Sequence, residues 1–316
     1  MEQENSTAPQ AGQGVRLAHL SDPHLPLGAG VPLGKVLNKR LLSLLSWYVK
    51  RRRHHRADTL ERLVADIRAH APGLIAVTGD LTNLGLAQEY RAARVWLEGL
   101  GPAERVIVIP GNHDALVSGA WEEGAAAWRP FWQGDDTAAA QDLAHAFPTL
   151  RRRGSLALVG VSSAIASAPG LAVGAVGEAQ LHRLATLLRR TREAGLCRVV
   201  LIHHPPLDGT VRARKRLTDA AALRALLEAE GVELVLHGHS HRSHYQTLQT
   251  RAGPAPVIGV SSASSMHREA AAWHLYHIAP GPGGWQIALT ARRIGADGRM
   301  ETSRATSLLI QRAHAR

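Results

Sequence analysis

Short runs of aliphatic and β-branched residues recur along the chain, and most of them end in a cluster of polar residues. They lie at 15–20, 74–78, 106–109, 156–161, 198–202, 232–236 and 257–260. Stretches with a helical period separate several of these runs, at about 58–70, 86–98, 177–194 and 219–230. This alternation predicts an α/β architecture with mostly buried strands. Towards the carboxyl terminus, WHLYHIA and WQIALTARRI flank APGPGG, which predicts a β-hairpin.

The polar clusters that follow five of the predicted strands contain carboxylates, imidazoles and one amide, but no thiolate. In order they are Asp22-Pro23-His24, Gly79-Asp80, Gly111-Asn112-His113-Asp114, His203-His204 and Gly238-His239-Ser240-His241. Side chains two residues apart in an extended segment point the same way, and open α/β sheets place their ligands at the carboxyl ends of strands. We therefore expect these side chains to converge on one cleft, where mixed nitrogen and oxygen donors suit Mn, Fe, Zn or Co.

The size of this donor set predicts two metal ions. A donor set of this size exceeds what a single four-coordinate ion takes, and it suits two ions that share a bridging carboxylate. Two ions about 3.5–4 Å apart stabilise in-line displacement at phosphorus, with a metal-bound hydroxide as the attacking group. The predicted reaction is hydrolysis of a phosphate ester or anhydride. For the neighbouring His204 and His237 we expect structural roles, and for the serines at 261–265 a polar turn.

The motifs D-x-H, G-D, G-N-H-D, H and G-H-x-H occur in this order, and over about residues 15–265 the chain resembles the calcineurin-like metallophosphoesterases. The resemblance implies two packed mixed β-sheets flanked by helices, in four α/β/β/α layers. The implied ligands of the first metal are Asp22, His24 and His241, those of the second are Asn112, His203 and His239, and the bridge is Asp80. His113 would face the substrate and help the leaving oxygen as an acid or an electrostatic stabiliser, and Asp114 would orient His113.

Within this family, the segments HLSDPHL, GDLTN, GNHD, HHPP and GHSH are most similar to the bacterial phosphodiesterase branch, which includes class III cyclic-nucleotide phosphodiesterases. The resemblance therefore implies a phosphodiesterase that uses two divalent ions. A second branch, which cleaves UDP-2,3-diacylglucosamine at its pyrophosphate, is the alternative. A catalytically inactive scaffold of the same fold is disfavoured, because such a protein would lack metal ligands and none is missing here.

Two segments interrupt the pattern in a chain that we otherwise expect to form one domain over 15–316, after a disordered tail at 1–14. The first, at about 31–57, has eight basic residues and no acidic one between Lys35 and Arg56, beside the apolar run LLSLLSWYV. Its leucines at 37, 41, 44 and 45 follow a helical spacing, which fits a lid, a contact in a homo-oligomer, or binding of residues 35–56 to an anionic membrane surface. Nucleic acid is the least favoured partner, because no known binding module is visible.

The second segment, at about 115–150, is rich in alanine and carries Trp121, Trp128, Phe131 and Trp132. Aromatic residues make up 4% of the chain, so their concentration outside the predicted regular elements indicates an aromatic lid. The candidate contacts to a phosphorylated small molecule or a lipid-linked substrate are Arg40, Trp47, Arg51, Arg52, Trp128 and Trp132.

Net charge strengthens the case for an anionic partner. The 37 basic and 26 acidic residues give +11, and without the eight basic residues of the first segment the charge is +3 (11 − 8). The single cysteine, Cys197, excludes an internal disulfide. No apolar run approaches the roughly 18–20 residues that span a bilayer, and the first residues lack the features of a signal peptide. These observations predict a cytoplasmic protein, with any membrane contact peripheral at the inner face.

Overall fold

The computed structural model of the chain describes residues 14–28, 31, 39–135 and 146–311. The predicted tail up to residue 13, together with Lys35 and Leu37, lies outside the described residues. The described strands are β1 (Val15–Leu20), β2 (Leu74–Val77), β3 (Val106–Val108), β4 (Thr149–Arg153), β5 (Leu156–Gly160), β6 (Cys197–Leu201), β7 (Leu234–His237), β8 (His244–Thr250), β9 (Gly253–Gly259), β10 (Ala272–Gly281), β11 (Gly284–Ile294) and β12 (Met300–Gln311).

Helices lie between the strands and in both of the predicted insertions. They are α1 (Lys39–Ser46), α2 (Arg52–His54), α3 (Ala57–Ala69), α4 (Ala87–Leu100), α5 (Ala120–Trp132), α6 (Glu178–Glu193) and α7 (Ala220–Glu230). A π-helical turn, Trp47–Arg51, joins α1 to α2, and a short 3₁₀ turn spans Ala213–Lys215. Within the described ranges, no helix has both the length and the apolar composition that crossing a membrane requires.

The strands form two mixed sheets of six strands each. The first sheet has the order β12-β11-β10-β1-β2-β3, in which β1, β2 and β3 are parallel and β10, β11 and β12 are added antiparallel. The second has the order β4-β5-β6-β7-β9-β8, with parallel β5, β6, β7 and β9 and antiparallel edge strands β4 and β8. The predicted α/β fold of two mixed sheets flanked by helices is confirmed.

The two sheets pack face to face, and the alternation of side chains along the strands divides the second sheet between two cores. Val199 and Leu201 of β6 belong to the hydrophobic cluster that is shared with the first sheet. Val200, between them, belongs to the cluster that also contains Leu188 of α6 and Leu227 of α7. The sheets are therefore covered on both sides, and their strand ends are held in a fixed relation to each other.

Two ion pairs with little exposure connect neighbouring elements. Arg198 in β6 is fully buried and donates to both carboxylate oxygens of Glu233 (2.7 and 2.9 Å), just before β7. Asp66 of α3 accepts hydrogen bonds from Arg292 (2.6 and 2.9 Å) and from the indole of Trp273 (2.9 Å). Burial opposes ionisation of Asp66, but these hydrogen bonds hold the pKa of its carboxyl below the usual value.

The prediction of an aromatic lid at 115–150 is wrong for the described part of that segment, because its aromatic residues are packed in the main core. Trp128, Phe131 and Trp132 lie on α5 and are at most 2% exposed. Trp128 packs against Tyr90 of α4, with ring centroids 4.8 Å apart, and donates its Nε1–H to Tyr90 O (3.0 Å). Trp128 and Trp132 therefore stabilise the fold and are not available to contact substrate or lipid.

Candidate metal centre

Five loops bring the seven expected metal ligands together at one edge of the two sheets. The ligands follow β1 (Asp22 and His24), β2 (Asp80), β3 (Asn112), β6 (His203) and β7 (His239 and His241). Because β1, β2 and β3 are parallel in one sheet and β6 and β7 are parallel in the other, each set of carboxyl ends lies on a common edge. All of these ligands except His241 are buried.

The first group of donors surrounds Asp22. His24 Nε2 lies 4.0 Å from Asp22 Oδ1 and 3.7 Å from Asp80 Oδ2. His241 Nε2 lies 3.2 Å from Asp22 Oδ1 and 3.4 Å from His24 Nε2. One donor atom from each of Asp22, His24 and Asp80 lies within 4.8 Å of the other two. These are the side chains expected at the first metal ion and at the bridge.

The second group of donors shares Asp80 with the first. His203 Nε2 lies 3.4 Å from Asp80 Oδ2, 3.2 Å from Asn112 Oδ1 and 3.2 Å from His239 Nδ1. Burial opposes protonation of His203, but Asp80 and Asp22 raise the pKa of its ring to about 9. Asp80, His203 and His239 again offer donor atoms within 4.8 Å of one another. Asp80 therefore has the position that a bridging carboxylate requires.

Three of the four histidines have one ring nitrogen bound to a backbone carbonyl, which leaves the other nitrogen directed at the donor groups. The contacts are His24 Nδ1 to Thr82 O (3.3 Å), His203 Nδ1 to Thr78 O (2.7 Å) and His239 Nε2 to Lys215 O (2.9 Å). Metal-bound histidines in proteins usually make such a second hydrogen bond, because it fixes the tautomer and the direction of the ring.

The donor groups fit divalent cations. Asp22 Oδ1 is buried and has no hydrogen-bond partner among the described residues, although His241 Nε2 lies 3.2 Å away. An unpaired buried carboxylate oxygen is costly. A cation bound to Asp22 Oδ1 would remove this cost. The nitrogen and oxygen donors suit Mn, Fe, Zn and Co alike, so they do not select one metal.

The backbone at five of the ligands has a conformation that residues other than glycine rarely adopt. Asp22, His24, Asp80, His239 and His241 have positive φ angles between 40° and 67°. They account for five of the seven non-glycine residues with positive φ in the described chain. Such conformations persist only where the surrounding structure holds them, and they cluster at functional sites. The strain supports a functional origin for this cluster.

Glycines in the motifs allow the loops to approach one another closely. Gly79 has a φ of 92°, and a Cβ there would lie 2.5 Å from the backbone nitrogen of Gly111. A Cβ on Gly238 would lie 2.6 Å from Asp22 Oδ2, the atom that accepts a hydrogen bond from the backbone N–H of His239 (2.9 Å). A side chain at either position would push metal ligands apart.

His113 lies beside the metal ligands. Its Nδ1 lies 2.8 Å from Asn83 O, and its backbone N–H donates to Asp80 Oδ1 (2.7 Å). The Nε2 atom is directed at Arg51, whose Nη1 lies 3.1 Å away. Burial and then the charge of Arg51 lower the pKa of His113 to about 3, so that the ring is neutral at pH 7.

The predicted role of Asp114 needs correction, because among the described residues no hydrogen bond joins its carboxylate to the ring of His113. The carboxylate instead accepts from the backbone N–H groups of Gly111 (2.8 Å), Asp80 (2.9 Å) and Thr82 (2.9 Å), and from the Thr82 hydroxyl (2.9 Å). Burial and the negative charge of Asp80 raise the pKa of Asp114 to about 7. Asp114 positions the loop that carries Asp80, and the partner of His113 is a backbone carbonyl.

A cavity of about 550 Å³ opens over the ligands, and its wall is cationic. Besides the carboxylate of Asp80, its charged lining residues are Lys39, Arg51, Arg214, Lys215 and Arg268. The guanidinium of the predicted contact residue Arg51 lies beside the expected metal ligands, with its Nη2 2.9 Å from His24 Nε2. The distribution of charge suits an anionic substrate.

The structure places the other predicted contact residues of the first insertion away from this cavity wall. Arg40 is buried and donates to the backbone oxygens of residues 84 and 85 (2.8 and 2.7 Å), so it supports a loop and does not contact substrate. Trp47 is buried, with its ring stacked on that of His55. Arg52 is exposed on the surface. Of the four, Arg51 alone lines the cavity.

Sequence reasoning missed several residues of the cavity wall. They are Lys39, His55, Arg214, Lys215 and Arg268. Arg214, Lys215 and Arg268 belong to no motif that would single them out, and Lys39 and His55 lie within the basic segment at 35–56. The two histidines that were expected to be structural are buried, and each has a local partner. His204 Nδ1 contacts Ser163 Oγ (2.8 Å), and His237 Nδ1 contacts Gly238 O (3.2 Å).

The fold and the donor groups define a metal-binding α/β protein of the phosphoesterase type, and comparison with known proteins identifies its family. The family model described as calcineurin-like phosphoesterase matches residues 15–243. The chain belongs to this family, whose members use a dinuclear divalent metal centre. A comparison with curated protein sequences finds no match.

Solved structures show the same fold at low sequence identity. A dimetal phosphatase from Danio rerio is 14% identical, with a TM-score of 0.58, and the match covers 95% of this chain and 100% of that protein. A purple acid phosphatase from yellow lupin (Lupinus luteus) seeds is 11% identical, with a TM-score of 0.56. That match covers 95% of this chain but 54% of the lupin protein.

Proposed function

We propose that the chain hydrolyses phosphodiester or pyrophosphate bonds with two divalent metal ions bound at the candidate metal centre. The observation that carries the proposal is the complete ligand set, in which two groups of donors share Asp80 within one cleft. When bound there, two divalent ions would polarise the phosphoryl group and increase the acidity of water. The cationic cavity wall supports a substrate with negative charge.

The side chains of the protein would bind and orient the phosphate. Arg51 and Lys215 lie on the cavity wall, where their charges suit the non-bridging phosphate oxygens. His113 Nε2 would transfer a proton to the leaving oxygen. Burial and Arg51 keep the pKa of His113 at about 3. An anionic phosphate beside the ring offsets the charge of Arg51 and raises this pKa, so that the bound substrate itself favours the proton-donating form.

The test is hydrolysis of bis(p-nitrophenyl) phosphate by the purified full chain with Mn²⁺, with and without EDTA. We expect turnover that depends on metal and stops on chelation. His113→Ala should lose turnover and retain both metal ions, because His113 belongs to neither donor group. Asp208→Asn, at a carboxylate that is 83% exposed, is the control and should keep full activity. If the metal-loaded chain cleaves no phosphate ester or anhydride, the proposal is refuted.

The choice between phosphodiester and pyrophosphate needs a substrate panel. The motif segments are most similar to the bacterial phosphodiesterase branch, so we expect cyclic nucleotides or simple phosphodiesters to be cleaved faster than UDP-2,3-diacylglucosamine. All three classes should be assayed with the same metal and compared by kcat/KM. Cleavage of the pyrophosphate alone would reject the phosphodiesterase assignment and retain the metallohydrolase.

A lipid-linked pyrophosphate is the second candidate, because an apolar surface lies at the mouth of the cavity. Leu44 of α1 is buried in a small hydrophobic cluster, which fixes the orientation of this helix. The outward leucines, 42–54% exposed, are Leu41, Leu42 and Leu45. Leu42 also lines the cavity, and exposed Arg52 and Arg53 follow in the chain. Apolar side chains beside cations suit an anionic membrane surface or a lipid-linked substrate.

Vesicle binding tests this second candidate. The full chain should bind vesicles that contain anionic lipid, and binding should weaken with salt because the cations are exposed. The double variant Leu42→Gln/Leu45→Gln should lose this binding, whereas Val95→Gln, at a 68% exposed position on α4, should not. No vesicle binding by the unmodified chain at low ionic strength rejects the candidate. A change of oligomeric state in the double variant would instead assign the surface to a contact between copies of the chain.

A further inference from the structure

Besides the seven expected ligands, one further histidine lies close to the first group of donors. One donor atom from each of His24, His55 and His241 lies within 4.8 Å of the other two. His55 lies between α2 and α3, is 7% exposed, and belongs to none of the five motifs. Its ring centroid lies 4.5 Å from that of His24 and 5.6 Å from that of His241.

We propose that His55 is an additional ligand, through Nε2, of the ion bound by Asp22, His24 and His241, an inference that rests on the dinuclear centre of the proposed function. His55 Nδ1 lies 2.8 Å from Ser264 Oγ. When the Nδ1–H is donated to this hydroxyl, Nε2 keeps a free lone pair. The same division of the two ring nitrogens occurs at His24, and it is typical of metal-bound histidine.

The backbone at His55 is hydrogen-bonded to the serine-rich turn at 261–265, which also contacts Asp22. His55 pairs with Ser265 in an isolated antiparallel bridge, and the N–H of the next residue donates to Ser264 O (3.0 Å). In the same loop, the hydroxyl of Ser262 donates to Asp22 O (2.7 Å). The serine-rich turn at 261–265 therefore sets the positions of a motif ligand and of His55 together. This gives a function to a turn that the motifs do not explain.

The ring of His55 packs against Trp47 in addition to its contact with Ser264. Its ring is nearly parallel to that of Trp47, with centroids 6.5 Å apart and an interplanar angle of 11°. With His55, the first ion has five protein ligands, counting Asp22, His24, Asp80 and His241. Zn²⁺ in proteins is mostly four-coordinate, so a fifth protein ligand favours Mn²⁺ or Fe²⁺ at this position.

Calorimetric titration of the metal-free full chain with Mn²⁺ tests the proposal. We expect the unmodified chain and the control His54→Gln, which changes the preceding cavity-lining histidine, to bind two ions alike. His55→Gln should bind one of the two ions at least about tenfold more weakly. Ser264→Ala should weaken the same ion less, because it removes only the Nδ1 partner. Affinities of His55→Gln within twofold of the unmodified chain overturn the proposal. If the unmodified chain binds no divalent ion, the dinuclear centre fails, and the inference with it.

A metal-loaded crystal structure of the unmodified chain gives a test that does not depend on the folding of a variant. His55 Nε2 should lie about 2–2.5 Å from the ion that Asp22 and His241 bind. An Nε2 atom directed away from that ion overturns the proposal, even if both ions are present and the enzyme is active.

Discussion

Replacement of Asp114 by asparagine tests whether this carboxylate positions the loop that carries Asp80 or orients the ring of His113. Asn can keep one side-chain oxygen at the N–H groups of Gly111 and Asp80, but its amide NH₂ then faces the N–H of Thr82. The Thr82 hydroxyl can adapt, because it also donates to His113 O (3.0 Å). The net change is one lost hydrogen bond to a charged group, worth about 1.5–3 kcal/mol. Removal of the repulsion with Asp80 offsets part of this, so we expect a loss of about 2 kcal/mol.

The assay has two parts, urea unfolding of the metal-free chain and calorimetric titration with Mn²⁺. The loop that carries Asp80 would be displaced in Asp114→Asn, and loss of such a supporting residue weakens metal binding by about 10–100-fold. Asp208→Asn makes the same chemical change at an exposed carboxylate and should alter the free energy of unfolding by less than about 0.5 kcal/mol. If Asp114→Asn equals this control in stability and in Mn²⁺ affinity, the positioning role is refuted.

Four further outcomes follow from particular contacts. Asp80→Ala should lower the Mn²⁺ stoichiometry below two in calorimetry, because both donor groups use Asp80. Gly238→Ala should weaken Mn²⁺ binding and lower the melting temperature, because the new Cβ collides with side chains of the β1 loop. Glu233→Gln should cost about 3–5 kcal/mol in urea unfolding, because it leaves Arg198 charged and buried. The lowered pKa of Asp66 stabilises the fold above about pH 4, and this contribution is lost as the pH falls through the folded pKa. Asp66→Asn should therefore show a smaller loss of stability between pH 5 and pH 2, within the range of about pH 5 to 1 over which such carboxylates titrate.

The convergence of the candidate metal ligands could be predicted from the sequence because each lies in a short segment directly after a buried strand. Asp22 and His24 follow β1 within four residues, and Asp80 follows β2 within three. In such segments the local pattern fixes the strand, and the strand fixes the end of the sheet at which its loop lies. The loop sequences therefore supply the candidate ligand residues, and the parallel strands place these residues at one edge of the sheets.

The aromatic residues of α5 could not be placed in this way. Their burial depends on contacts with a helix more than 30 residues earlier, such as that between Trp128 and Tyr90 (|i−j| = 38). Pro130 also obscured the helix, because proline in a helical pattern indicates an end, whereas α5 continues to Trp132. The concentration of aromatic residues outside the predicted elements then indicated a lid, although the helix packs these residues into the core.

Asp114 shows a different limit, because adjacency in sequence does not imply contact. The carboxylate of Asp114 and the ring of His113 are neighbours in the motif, and the family resemblance implied that the carboxylate orients the imidazole. The turn after β3 directs the carboxylate at backbone N–H groups of the β2 loop and the ring at Asn83 O. The direction of a side chain in a turn depends on backbone angles that the motif letters do not specify.

The positively charged residues of the first insertion face two different environments, a difference that the sequence does not indicate. The eight basic residues between Lys35 and Arg56 form one block, which by itself suggests a single surface for an anionic partner. In the structure, Arg51 extends into the cavity to within 2.9 Å of His24 Nε2, whereas Arg52, the next residue, is exposed. The π-helical turn that ends at Arg51 therefore separates charge that faces the cavity from charge that faces the surroundings. Under the proposed function, adjacent residues of one segment would face the substrate phosphate and an anionic surface.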